Sequence, residues 1–304
     1  GYGEAREGKV GESHSRVVVK RVCPPLAEGE SHSRKLKSYQ VEAAFYRAAA
    51  VELLSAGVPV PRALFAETDG ERVLLCLSDL RDEFPRSARG SLDVEDARAG
   101  LSLLARIHAT FFGREELPPG LWPQGSYWRL DTRLEELESV DDARLKRAAR
   151  AFDARLRADR HQTLIHGDPK ADNLLFSSGG AVRAAAYDWQ YTGRAPGVVD
   201  VAYFLISSVQ PRLLQQDVDA LLRHYHAELT ARLAPGTAAA YSFAACASAF
   251  DVACADYTRF MAGWGFWGAA SWAEARTAEV LQRVDGGALL ANEEAYIDAV
   301  MREF

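Results

Sequence analysis

The amino-acid sequence predicts an α+β fold, with strands and one helix in the first 80 residues and mainly helices after them. Residues 16–22 are rich in β-branched side chains, which is typical of a strand. Residues 63–66 and 72–77 flank Asp69-Gly70, a strong signal for a β-hairpin. The apolar spacing of residues 198–304 indicates about five helices.

One helix is expected between the first strand and the hairpin. The segment from Leu36 to Leu54 contains Glu42, an aromatic pair and several alanines, and it is stopped by Gly57 and Pro59. The order of segments therefore gives a small β-rich part, a connector near residues 78–91 and a larger helical part.

The composition is that of an ordinary globular protein that binds no nucleic acid. Apolar residues make up 48% and charged residues 26% of the 304 positions, enough for one large domain or two lobes. The net charge is −6 and no run of Lys and Arg occurs, which argues against nucleic acid as a partner. The acidic excess lies entirely after residue 80, and it indicates either a cationic substrate or scattered surface acids.

The four cysteines are scattered and form no metal-ligand pattern, so we expect reduced thiols in a cytoplasmic protein. No run is long and apolar enough for a transmembrane helix, and the start has no signal-peptide pattern, so no membrane partner is expected. No obligate protein partner is indicated. Because the chain begins with Gly1-Tyr2-Gly3, we expect it to start inside a glycine-rich loop and to be truncated there.

A polar motif between apolar strands is the most informative segment. His166 to Asn173 reads HGDPKADN, with Leu164-Ile165 before it and Leu174 to Phe176 after it as strand segments. A third apolar run, 181–187, follows a Ser-Ser-Gly-Gly turn and leads into Asp188. The polar side chains are therefore expected on a loop held rigidly between strands.

These residue types suit phosphoryl transfer, in which positioning and charge neutralisation dominate catalysis. Asp168 can accept the proton of an attacking hydroxyl or aim that hydroxyl at phosphorus. Asn173 and Asp188 offer the hard oxygen ligands that Mg²⁺ requires. Lys170 is either a point charge for the transferring phosphate or a solvated lysine. The alternative for the isolated polar residues is a turn-forming role, with His166 bracing the loop.

The segment resembles the kinase-like phosphotransferases that act on small molecules: aminoglycoside phosphotransferases, choline kinases and, most closely, the ecdysteroid-kinase-like (CHK-like) family. The matching pattern is HGDxxxxN at 166–173, Asp188-Trp189-Gln190, Pro196, and D-x-x-Y-F-L at 200–205. The match is specific over 164–208 and weaker over most of the chain. In these families, the acid at the position of Asp200 is a structural residue that braces the catalytic loop.

The resemblance implies a bilobal, protein-kinase-like architecture with nucleotide in the cleft between the lobes. Residues 1–80 would form the nucleotide-binding lobe, and residues 81–304 the helical lobe with the catalytic loop and substrate site. Lys20 would hold the α- and β-phosphates of ATP and Glu42 would fix that lysine; the alternatives are a strand-edge lysine and an exposed helix acid. Gly1 and Gly3 would belong to a loop over the phosphates.

The predicted function is ATP- and Mg²⁺-dependent phosphorylation of a hydroxyl on a small organic acceptor that is choline-, aminoglycoside- or steroid-like. A protein kinase is a weaker alternative, because only eleven residues separate Asp188 from Asp200 and leave no space for an activation segment. A non-catalytic nucleotide-binding protein would be expected to have lost one of the key polar residues. A metallophosphatase would need further clusters of His and acidic residues.

The sequence does not identify the residues that bind the acceptor. Aromatic and acidic residues concentrate in the helical part, and they form either a pocket for an ammonium group or a helical core. This set comprises Asp251, Asp256, Tyr257, Trp264, Phe266, Trp267 and Trp272.

Overall fold

The computed structural model describes residues 16–24, 29–88 and 90–304. Gly1 and Gly3, assigned by resemblance to a loop over the phosphates, lie outside the described residues. No helix within the described ranges is long and apolar enough to cross a membrane.

Strands and helices follow the predicted order. The strands are β1 (Val17–Val22), β2 (Ala63–Asp69), β3 (Arg72–Ser78), β4 (Arg86–Ser87), β5 (Gln162–Ile165), β6 (Leu174–Phe176), β7 (Ala184–Ala186) and β8 (Gly193–Pro196). The helices are α1 (Glu30–Arg47), α2 (Ala49–Ser55), α3 (Val94–Phe111), α4 (Leu134–Glu138), α5 (Ala143–Ala158), α6 (Val198–Ser208), α7 (Pro211–Thr230), α8 (Pro235–Ala240), α9 (Phe243–Trp264), α10 (Ala270–Asp285) and α11 (Glu293–Glu303). The α+β prediction is confirmed.

The first part of the chain forms a three-stranded antiparallel sheet in the order β1-β3-β2. Val73, Leu75 and Leu77 of the central strand are buried at every second position, so one face of the sheet is covered, and α1 packs against β2 and β3. The predicted single helix is in fact two, α1 and α2. They divide at Ala48, whose backbone angles (φ −132°, ψ −71°) leave the helical region.

Helix α9 is the centre of the larger part. Every residue from Ala249 to Met261 is buried, which is expected for a helix that has neighbours on all sides. Helices α4, α5, α6 and α10 pack against it. Residues 198–304 form six helices rather than about five, because the short α8, which begins with a proline, separates α7 from α9.

Two small sheets hold the polar motif. Strand β5 pairs with β8 and ends at Ile165, directly before the motif, whereas β6 follows the motif and pairs with β4 and β7. The third predicted strand is shorter than expected and begins at Ala184 rather than 181. As a result, residues 166–173 and 187–192 are each anchored at both ends by strands.

Candidate active site

Asp200 anchors the first two residues of the 166–173 motif through their backbone N–H groups. Its fully buried carboxylate accepts hydrogen bonds from the backbone N–H groups of His166 (2.7 Å) and Gly167 (2.9 Å) and contacts His108 Nε2 at 3.1 Å. His108 Nδ1 lies 2.8 Å from the Tyr225 hydroxyl. Because Asp200 stands in the first turn of α6, this network connects the loop to the helical core. The structural role that the resemblance implied for this acid agrees with these contacts.

We expect Asp200→Ala to lower the free energy of unfolding by about 3–5 kcal/mol, because two buried N–H donors and a buried imidazole would lose their acceptor. Urea denaturation followed by circular dichroism measures this loss. Asp217→Ala, which removes an exposed acid from α7, is the matched control and should change stability by less than about 0.5 kcal/mol. Equal stability of the two variants would contradict the bracing role.

His166 is fully buried and braces the loop. The Asp168 N–H donates to its Nδ1 (3.2 Å), so Nε2 is the protonated nitrogen that donates to the Tyr187 carbonyl (3.0 Å). Burial lowers the pKa of His166, which keeps the ring neutral. Trp189 lies against this ring at 4.4 Å and stacks on Phe45 of α1 at 4.0 Å. The motif is therefore packed directly against the helix of the small sheet.

Position 167 requires glycine because the backbone of Tyr191 passes very close to it. Its φ is +83°, and an added Cβ would lie 2.1 Å from the Tyr191 carbonyl oxygen. The Gly167 carbonyl accepts from the Tyr127 N–H (2.8 Å), and the Ser126 N–H donates to Tyr191 (3.1 Å). Only glycine allows this packing of the loop against the 122–128 segment.

Asp168 is buried at the centre of the motif. Asn173 Nδ2 donates to its carbonyl oxygen (2.8 Å) and to its Oδ2 (3.1 Å), and Lys170 Nζ lies 3.8 Å from the same Oδ2. Burial raises the pKa of Asp168 to about 6, against the opposing charge of Lys170. Its Oδ1 accepts no well-formed hydrogen bond from the described residues, although a contact with the Tyr203 hydroxyl lowers the pKa of the carboxyl group. One carboxylate oxygen is thus held in place while the other is available to a ligand hydroxyl.

Lys20 connects the two parts of the molecule. Its Nζ lies 2.7 Å from Glu42 Oε2 and 3.3 Å from Asp188 Oδ1. Burial alone would lower the pKa of Lys20, but the two carboxylates outweigh it and raise that pKa. Glu42 is almost fully buried, and burial raises its pKa to about 7 even though Lys20 opposes the shift. The lysine and the glutamate predicted from β1 and α1 are therefore directly paired.

The segments that carry Asp188 and Asn173 are adjacent, because the Tyr187 N–H donates to the Asn173 carbonyl at 3.1 Å. Asp188 has a φ of +66°, a left-handed conformation that Asp tolerates better than most residues and that is common at functional sites. Because Asn173 uses its Nδ2 to bond Asp168, its Oδ1 is left for a cation. Two hard oxygen donors beside a cleft suit Mg²⁺ bound together with phosphates. No cluster of three or more acidic, His or Cys residues that could hold a metal occurs in the described part of the chain.

Sequence reasoning missed one contact of the site. Lys35 was not among the residues singled out from the sequence, yet its Nζ lies 3.0 Å from Oε1 of the buried Gln190. The Ser38 hydroxyl donates to the same oxygen at 3.0 Å. Burial lowers the pKa of Lys35 despite the nearby charge of Asp188. The only signal in the sequence was the helical spacing of 35 and 38, which places both side chains on one face of α1.

A paired lysine and glutamate, a loop-held aspartate and two oxygen donors at the lobe junction define a phosphotransferase of the kinase-like class. Residues 4–237 match the family model described as the phosphotransferase enzyme family, and the chain belongs to this family. The prediction of a phosphotransferase is thereby confirmed.

Solved structures show the same fold. A microcompartment-associated aminopropanol kinase aligns with a TM-score of 0.55 at 15% identity, covering 92% of this chain and 89% of that one. A choline kinase from Streptococcus pneumoniae aligns with a TM-score of 0.50 at 14% identity, covering 90% and 88%. None of the curated proteins compared matches this sequence significantly. The predicted bilobal, protein-kinase-like fold is confirmed.

Proposed function

We propose that the protein transfers the γ-phosphoryl group of ATP to a hydroxyl of a small organic acceptor, with Mg²⁺ bound alongside the nucleotide. The observation that carries this proposal is the pairing of Lys20 with both Glu42 and Asp188, which joins β1, α1 and the end of β7 around one cleft. Structures similar to this one belong to kinases whose names specify aminopropanol and choline as acceptors.

Each residue of the cleft has a defined task in this proposal. Asp168 orients the acceptor hydroxyl through its open Oδ1 and takes its proton. Lys20, held by Glu42, binds the α- and β-phosphates, and Lys170 stands beside Asp168 as a positive charge for the phosphoryl group. Asn173 and Asp188 would hold Mg²⁺, which neutralises charge on the phosphate oxygens.

The finer assignments follow from the sequence motifs. The Asp188-Trp189-Gln190 segment, Pro196 and the 200–205 segment support membership of the ecdysteroid-kinase-like group. The β-rich lobe is assigned to residues 1–80 and the helical lobe to residues 81–304. Free, scattered cysteines support a cytoplasmic location.

A small acceptor suits the geometry better than a protein. Between Asp188 and Asp200 the chain forms β8 and pairs with β5, and most of its residues are buried. No exposed segment therefore remains between these two residues to dock a peptide strand.

The nucleotide half of the proposal can be tested before the acceptor is known. We expect Lys20→Met to weaken binding of Mg²⁺·ATP at least about tenfold, because a charge-assisted contact to phosphate contributes roughly 1.5–3 kcal/mol. Isothermal titration calorimetry measures the affinity. Lys146→Met on α5, which removes the same charge from the surface, is the control. If both variants bind like the unmodified protein, Lys20 is not a phosphate ligand.

The transfer itself is tested by measuring acceptor-dependent ADP release across a library of small alcohols. Formation of the phosphate ester, detected by mass spectrometry, supports the proposal. A protein that binds Mg²⁺·ATP but phosphorylates nothing in a broad library would instead indicate the non-catalytic, nucleotide-binding alternative.

A further inference from the structure

Aromatic rings from several elements pack beside Asp168. This aromatic cluster consists of Tyr127, Tyr203, Tyr257, Phe260 and Trp264. Ring centroids within it are 5.0 to 6.4 Å apart, at separations typical of favourable aromatic pairs.

The catalytic loop borders the aromatic cluster. The Tyr127 N–H donates to the carbonyl of Gly167, the residue before Asp168. Burial raises the pKa values of Tyr203 and Tyr257 well above the usual range, and the Asp168 carboxylate adds to both shifts. The aromatic cluster therefore lies next to Asp168, where the proposed acceptor hydroxyl would bind.

The side chain of Arg133 already lies over the rings of the aromatic cluster. The Arg133 guanidinium carbon lies 4.2 Å from the ring centroid of Tyr127 and 5.2 Å from those of Phe260 and Trp264. The side chain is only 1% exposed, and its buried charge is satisfied because Nε donates to the Tyr127 carbonyl and Nη1 to Glu136 at 2.8 Å. The ring faces that would attract an ammonium group are thus used internally.

The charge balance of the site works against charged acceptors of either sign. An ammonium could bind these ring faces only by displacing the Arg133 guanidinium, which is held there by its own hydrogen bonds. The positive charge of Arg133 is neutralised by Glu136, and Asp168 is acidic, so an anion gains little there. Apolar surface is available beside the cluster, since Trp264 and Phe266, two residues further along the chain, are each about half exposed.

One polar atom of the aromatic cluster is buried and unpaired among the described residues. The Tyr257 hydroxyl belongs to a fully buried side chain and has no hydrogen-bond partner among the described residues. A buried hydroxyl without a hydrogen-bond partner is energetically unfavourable unless a water molecule or a ligand supplies that partner. The Asp168 carboxylate acts on this hydroxyl electrostatically, so the two groups lie near each other.

We propose that Arg133 determines specificity by filling the aromatic cluster, so that the acceptor is an uncharged alcohol with a bulky apolar body rather than an ammonium alcohol. This inference rests on the proposed function, and it specifies the acceptor class for that site. It differs from the amine-bearing acceptors in the names of the similar structures.

The test compares two probes that differ by one atom: choline, and its carbon isostere 3,3-dimethylbutan-1-ol, in which a quaternary carbon replaces the nitrogen. We expect the unmodified protein, titrated calorimetrically in the presence of Mg²⁺·ADP, to bind the isostere at least about tenfold more tightly than choline. Tighter binding of choline, equal binding, or binding of neither probe would overturn the proposal.

Arg133→Met opens the ring faces, and we expect it to shift the preference toward choline by at least about tenfold. Arg129→Met is the matched control, because Arg129 is also a buried arginine stacked on an aromatic ring (3.8 Å from Trp122) but does not contact the aromatic cluster. An unchanged preference in folded Arg133→Met would overturn the proposal. Should that variant not fold, the comparison in the unmodified protein still decides.

Turnover is measured separately with Mg²⁺·ATP and the same two probes. If the isostere binds preferentially but neither probe is phosphorylated, the proposed transfer to these alcohols fails while selection by Arg133 stands. If choline is phosphorylated faster than the isostere, the transfer stands and the role of Arg133 is wrong.

Discussion

Asp168→Asn is expected to reduce the turnover number at least about a thousandfold while leaving Mg²⁺·ATP affinity within about twofold. General-base catalysis contributes roughly 10²–10⁴-fold, and an amide cannot take the proton of an attacking hydroxyl. The replacement has the same shape, and its amide oxygen can keep the hydrogen bond from Asn173. Turnover is measured by coupled ADP release with the best acceptor from the library, and affinity by calorimetry.

The control for this experiment lies four residues away in the same loop. Asp172 is exposed, so Asp172→Asn makes the same chemical change without touching the buried carboxylate. It should retain nearly full activity. If Asp168→Asn also remained active, the assignment of the base would be wrong; if it lost ATP affinity as well, Asp168 would bind the nucleotide rather than act on the acceptor.

The part of the site that lies on one loop could be predicted from the sequence, because short strands on both sides fix the spacing of its residues. Asp168 and Asn173 are five positions apart between two apolar strands, and the structure joins them by hydrogen bonds of 2.8 and 3.1 Å. Lys20 and Glu42 were harder, since they lie on different elements. They were paired only through the resemblance to kinase-like enzymes, and the observed distance of 2.7 Å agrees with that pairing.

Other features depend on contacts that a single sequence does not reveal. Arg133 was not singled out, because its ring partners Tyr127, Phe260 and Trp264 span more than a hundred positions. The division of α1 from α2 at Ala48 was missed for a different reason. Alanine is the best helix former, so nothing local marks the break, and tertiary packing overrides the propensity.

The roles of the aromatic and acidic residues in the helical part could also not be decided from the sequence. The sequence left open whether they form a ligand pocket or a core. The acids are paired internally, Asp251 with Arg276 and Arg283, and Asp256 with Arg259. These carboxylates are thus not available to a cationic substrate, which the acidic composition alone had left as an alternative.

The second large effect is expected at Asp188. Replacement by Asn should remove most of the gain in ATP affinity that Mg²⁺ provides, weakening Mg²⁺·ATP binding at least about tenfold, because a carboxylate ligand is replaced by a neutral amide. Asparagine is preferable to alanine here. The φ of +66° is tolerated by Asp and Asn but strains other side chains, so Asp188→Ala would mix loss of a ligand with backbone strain.

Calorimetric titrations of ATP with and without Mg²⁺ isolate the effect, because the variant should resemble the unmodified protein only when Mg²⁺ is absent. Asp188 also contacts Lys20 at 3.3 Å, so a purely electrostatic role in holding that lysine predicts a different pattern. In that case ATP affinity would change equally in both titrations.

Asp172→Asn, which removes an exposed acid near the same cleft, controls for the change in net charge. An Asp188→Asn variant with a full Mg²⁺-dependent gain would show that the metal is held elsewhere.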